Sequence, residues 1–153
     1  MSPHTIVIGY AIGGVLRGLA VALIVSLLSL FFTHLQVAHL GVTVLVILLT
    51  AAIFALGGLI NAVFARSFDD VSIIPTFVLT PLTYLGGVFY SISLLPEFWQ
   101  TVSLANPILH MVNAFRYGIL GVSDINIGVA IGMMLLASKV LAFSATSCKA
   151  APA

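Results

Sequence analysis

The sequence predicts an all-α protein: a polytopic transmembrane helix bundle of about four spanning helices, with re-entrant or interfacial short helices before the last. Three observations predict it. First, 61% of the 153 residues are hydrophobic and only 6% are charged, against about 25% charged in an ordinary soluble domain. Second, the mean hydropathy of +1.27 leaves too little polar surface to cover a soluble fold. Third, the few charges leave apolar stretches between them of about 20 residues, the length of helix that crosses a hydrocarbon core of about 30 Å. Lipid offers no partner to a bare N–H or C=O, so such stretches must close their hydrogen bonds internally as helices.

The same figures exclude several classes. A net charge of +1 is no footprint for nucleic acid. A single cysteine, Cys148, excludes an internal disulfide framework. Met1-Ser2-Pro3-His4 lacks the basic start of a secretion signal, so the first apolar segment is expected to stay in the mature protein. The whole of 1–153 reads as one transmembrane domain.

The first span is expected over 12–32. Arg17 would stand near one interface, because a charge at mid-bilayer costs about 2.5–3.5 kcal/mol; Ile6 to Ala11 would then lie along the membrane surface. His34, Gln36 and His39 form a polar break. The second span, 41–64, is rich in Val, Leu and Ile, and its length favours a helix over strands. Arg66 to Asp70 is the densest charge cluster and reads as a loop in water. The third span, 71–95, holds Pro75, Pro81 and the pair Gly86-Gly87, so a bent helix is expected. Region 96–124 is studded with polar residues and is expected to form short helices outside the cytoplasm, with Trp99 and Tyr117 at headgroup level. The last span is 125–143, with Lys139 snorkelling from its final turns and Ser144 to Ala153 as a frayed tail. On four spans, Arg17, Arg66, Lys139 and Lys149 share one side and Arg116 takes the other. That bias places both termini in the cytoplasm.

Motifs for chemistry are sparse. Glycines four apart at Gly9/Gly13, Gly14/Gly18 and Gly128/Gly132 are candidate helix contacts. Asp69-Asp70 reads as a solvated loop, a helix N-cap or a docking point for a partner; adjacent carboxylates on a helix diverge, so a shared metal is poorly supported. Glu97 and Arg116 could pair outside the membrane. There is no HExxH or GxSxG, and no GxxxxGK[ST], since neither Lys139 nor Lys149 follows a glycine. No catalytic, cofactor or metal residues are assigned, and any ATP would be used by another polypeptide.

The run Phe68-Asp69-Asp70 through Pro75, Pro81-Leu82-Thr83-Tyr84, Gly86-Gly87 and Tyr90 closely resembles the signature region of type-2 ABC export permeases. Leu95-Pro96, Phe98-Trp99, Asn106-Pro107 and Arg116-Tyr117-Gly118 continue the likeness. The resemblance covers roughly 4–134 and is strongest with bacterial inner-membrane permeases that pair with a separate ATPase. It implies the C-terminal part of a permease, with helices before Met1 and a tail that departs from the family's basic-ended last helix. It also implies a multi-pass subunit of the bacterial inner membrane that forms a substrate pathway with a second permease copy, powered by a cytoplasmic P-loop ATPase. By the same likeness Arg66, Asp69 and Asp70 would face that ATPase. Pro75, Pro81, Gly86 and Gly87 would shape the pathway and its gating. Pro96, Asn106, Pro107 and Arg116 would belong to a re-entrant hairpin. Two other readings stand beside it. A secondary transporter or channel would need ionisable residues in the membrane, and spans two and three have none. A non-transporting membrane fragment or assembly subunit would bind other membrane proteins.

Overall fold

The computed structural model describes residues 3–32 and 37–150. Helix α1 is Pro3–Phe32, 30 residues without a break. The segment Ile6 to Ala11 therefore continues the first helix instead of lying along the surface. No proline interrupts it, and Val7 is buried against Leu56, Leu59 and Ala145. The expected break at His34 and Gln36 lies outside the described residues. Helix α2 is Leu40–Phe64, and α1 crosses it closely. The α-carbon of Gly14 sits where a Cβ would collide with that of Ala55, and a Cβ on Gly18 would come within 2.9 Å of Ala51. Small residues let helices approach where lipid gives no hydrophobic drive. Gly9, Gly13 and Gly132 have nothing within 4 Å of such a Cβ, so their spacing carries no helix contact here.

The expected third span is shorter and more irregular than 71–95. It is a composite arm: α3 at Phe68–Ile73, a π-helical stretch at Ile74–Leu79, and α4 at Thr80–Leu85. Each piece has six residues, which makes the arm roughly 27 Å long at helical rise. Pro75 and Pro81 have no N–H to continue the α pattern, and the widened turn between them absorbs the defect. The arm ends at Gly86-Gly87. Gly87 has φ +70, a left-handed conformation that other residues adopt only with strain. A short 3₁₀ turn, Ile92–Leu94, follows.

Region 96–124 folds as two short helices, α5 at Glu97–Leu104 and α6 at Pro107–Leu120. Asn106 caps α6 by accepting from the Ile108 N–H at 3.0 Å, and Pro107 takes the first position, where no N–H is needed. Gly121, at φ 72, closes α6 in the left-handed cap. The last helix, α7, is Ile127–Ala150. It is helical well past the point where a frayed tail was expected, and it places Lys139 near its middle.

The bundle is built around α2, which packs against α1, α6 and α7. Val46, Ile53, Met111, Ala114, Ala130 and Met134 form its core. α6 runs antiparallel to α2: a Cβ on Gly118 would strike the Thr43 hydroxyl, while Met111 and Ala114 lie toward Ile53. The start of α1, the end of α2 and the end of α7 meet at one end of the bundle through Val7, Leu59 and Ala145. Among the described residues, three helices are long and apolar enough to cross a membrane, over Thr5–Ser29, Leu40–Phe64 and Ile127–Ser147. This is a helical membrane bundle.

Candidate functional site

The arm is attached to the bundle by its two damaged turns. Pro75 cannot donate to the carbonyl four residues earlier, that of Val71. The side chain of Asn61, on the last turns of α2, donates to that Val71 oxygen at 2.9 Å. At the other end, the Gly86 N–H bonds back to Thr83 at 3.1 Å, which bypasses the Leu82 carbonyl. Asn106 donates to Leu82 O at 2.6 Å. Two asparagines thus satisfy the two carbonyls that proline and the glycine turn release. Between those pins the arm buries no residue.

The Gly86-Gly87 turn is held by a polar cluster. Arg116 donates to the Gly87 carbonyl at 3.0 Å and to Asp124 at 3.2 Å. Ser91 donates to the same Asp124 oxygen at 2.9 Å. The Asp124 N–H bonds to the side-chain oxygen of Asn113 at 3.1 Å, and Asn113 in turn donates to Leu109 O. The arm's exit, α6 and the start of α7 are therefore tied at one guanidinium. Arg116 pairs with Asp124 and not with Glu97, the partner that the sequence had allowed. Gly86 faces Ile108 so closely that a Cβ would come within 2.8 Å of it. Of the hairpin residues, Asn106, Pro107 and Arg116 converge on this junction; Pro96 precedes α5 and makes none of these bonds.

At the opposite end, Ser67 caps α3 and Asp70 closes a capping box. Ser67 Oγ accepts from the Asp70 N–H at 3.2 Å, and Asp70 accepts from the N–H groups of Ser67 and Arg66, both at 3.1 Å. Asp70 is thus absorbed by local structure. The side chains of Arg66 and Asp69 make no hydrogen bond or ion pair among the described residues, and both are exposed or half-buried. No group of three or more His, Cys, Asp or Glu side chains gathers among the described residues.

A cavity of about 930 Å³ opens between α1, α2 and α6. Its walls are apolar, with Val21, Val25, Ile47, Phe54, Val112 and Phe115 among them, and two arginines line it, Arg17 and Arg116. Arg17 is the central residue of the candidate span Thr5–Ser29, and it lies level with Ala51 and Ala55 at the middle of α2. The difference from the expected span follows from the unbroken α1: once Pro3 to Ala11 is helical, the apolar stretch starts at Thr5 instead of at 12, and Arg17 stands about two turns further from its start.

The ABC-2 type transporter family matches residues 1–120. The chain belongs to that family. An inner membrane transport permease of Escherichia coli strain K12, YadH, is 53% identical over 133 residues, covering 87% of this chain and 52% of that protein. Nodulation protein J of Rhizobium meliloti is 29% identical over 102 residues, 67% of this chain and 39% of that protein. The chain thus spans about half the length of YadH. No solved structure matches it.

Within this ABC-2 domain, sequence reasoning named the arm's prolines and glycines but missed their polar partners. Asn61 sits in an otherwise apolar run and Pro75 lies fourteen positions on. The signal that could have found the contact is the orphan carbonyl four residues before any membrane proline, which calls for a donor on a neighbouring helix. Asn113 and Asp124 were equally legible as polar residues and equally silent about their partner.

Proposed function

We propose that this chain is the membrane-spanning part of a permease subunit of an ABC exporter of the bacterial inner membrane. It would act with a second permease copy and a separate cytoplasmic P-loop ATPase. The observation that carries the reading is the 53% identity with a transport permease, which runs through 133 residues and so through α1, α2, the arm and the hairpin. The absence of a GxxxxGK[ST] motif from the chain fits an energy source on another polypeptide.

The mechanism follows from the arm. In the turn at 65–70 the side chains of Arg66 and Asp69 have no partner among the described residues, and they are the groups that would meet the ATPase. A push there acts on α3, which buries none of its own residues and is tied to α2 by the single Asn61 bond. The π-helical stretch can take up a rotation by shifting one hydrogen-bond register. The far end is clamped at Gly87 by Arg116, so the motion would be delivered to the hairpin and the wall of the pathway. ATP binding would bias one of two arrangements of these parts. On this reading the termini and the 65–70 turn are cytoplasmic, and 96–124 faces the other side.

Two measurements test it. A tagged chain should retain a P-loop ATPase through purification in dodecyl maltoside, and Asp69→Arg should release it; a chain that retains none sinks the reading. In a complete permease carrying this region, Gly87→Leu should abolish export while membrane insertion stays normal. Normal export by that variant would remove the glycine turn from the mechanism.

A further inference from the structure

Arg17 stands at the middle of α1 with no hydrogen bond or ion pair among the described residues. The chain has only four acidic residues, and none is free to reach it. Asp124 is taken by Arg116. Asp70 closes the α3 capping box and Asp69 adjoins it beyond the end of α2. Glu97 lies in the first turn of α5, which is not among the elements forming the cavity. Arg17 is exposed on the bundle; if α1 crosses the bilayer along Thr5–Ser29, an unpartnered charge at its middle costs about 2.5–3.5 kcal/mol, so the site calls for an anion from outside these residues.

The surroundings say what kind of anion. Arg17 sits where Gly14 and Gly18 draw α1 down onto Ala55 and Ala51, and this crossing floors one end of the cavity. From there the apolar walls run along α1 and α2 toward Leu120 at the end of α6. The volume of about 930 Å³ falls within the roughly 300–1,000 Å³ of ordinary ligand sites. A free inorganic anion would leave the walls bare, and a neutral hydrocarbon would leave Arg17 unpaired. We propose that this groove binds an anionic amphiphile, with its acidic group on the Arg17 guanidinium and its chain along α1, α2 and α6. Arg116, already engaged by Asp124 and Gly87, adds positive potential at the other end without being the anchor. The binding rests on Arg17 and the groove alone; that the amphiphile is cargo rests on the exporter reading.

The test uses the full chain in dodecyl maltoside and two probes, oleoyl lysophosphatidic acid and monoolein. They share glycerol and chain and differ in the phosphate. Native mass spectrometry should show the acid bound at least about tenfold more tightly, the size of one charge-assisted contact. Arg17→Gln should erase that preference and Arg17→Lys should keep part of it. Ala22→Phe, which narrows the groove without touching the charge, should weaken both probes. Equal binding of the two probes, or an unchanged preference in Arg17→Gln, overturns the proposal. A photo-crosslinking residue at Val21 should label lysophosphatidic acid. If it chiefly joins two chains instead, a second copy fills the groove and the proposal fails. Because these readouts are independent of ATPase retention, the groove and the exporter reading can fail separately.

Discussion

α2 and the α3–α4 arm are both mostly apolar, α2 the more so, yet they behave as opposites. α2 has 25 residues, no proline, and seven buried positions from Thr43 to Asn61. The arm has two prolines, a π-helical stretch and no buried residue. Phe77 on the arm is 73% exposed, while Val46 on α2 is 1% exposed. In lipid an exposed phenylalanine loses nothing, because the solvent is as apolar as a protein core. The difference in exposure between the two segments is therefore chiefly one of packing and hydrogen bonding. α2 is held by contacts along its whole length; the arm is held by Asn61 and Asn106 at its ends and is free to bend between them.

Six substitutions break or sharpen that contrast between packed and unpacked helix, beginning with the largest expected effect. Gly118→Leu drives a side chain into Thr43 across the α2–α6 contact. It should destabilise the bundle by about 3 kcal/mol, near the upper range for overpacking, seen as early unfolding in a denaturant titration of the chain in dodecyl maltoside. Leu109→Ala removes a side chain that is 0% exposed and should cost about 2 kcal/mol, at the low end for a cavity because the transfer term is small in lipid. The matched arm variant Phe77→Ala should change stability by less than about 0.5 kcal/mol. Equal losses from the two would end the comparison.

Asp124→Asn breaks the tie between Arg116, Ser91 and the Gly87 turn. The two partners are 26% and 27% exposed, between a surface pair and a buried one, so a loss of about 1 kcal/mol is expected. Limited proteolysis should then cut faster between Gly87 and Pro96, with the bundle intact. A small effect gives the sharpest test. Pro75→Ala restores an N–H that can serve Val71 O, which makes Asn61 redundant. Asn61→Leu alone should cost about 0.6 kcal/mol, the usual worth of a hydrogen bond between membrane helices. In the Pro75→Ala background it should cost almost nothing. A double-mutant cycle with no coupling would show that the asparagine does not answer the proline.

The membrane character and the helical class follow from composition and charge spacing. Those signals are local, because any backbone in lipid must close its own hydrogen bonds whatever its neighbours. The bend at Pro75 and Pro81 was legible for the same reason. Partners were not legible. The pairing of Arg116 with Asp124 over Glu97 depends on how α6 returns along α2. The depth of Arg17 depends on Val7 finding a site beside Leu59 and Ala145, which keeps α1 helical from Pro3. Of the three glycine pairs, Gly14/Gly18 became the helix contact because Ala51 and Ala55 stand opposite. Spacing along one helix states what could touch; only the facing helix decides what does.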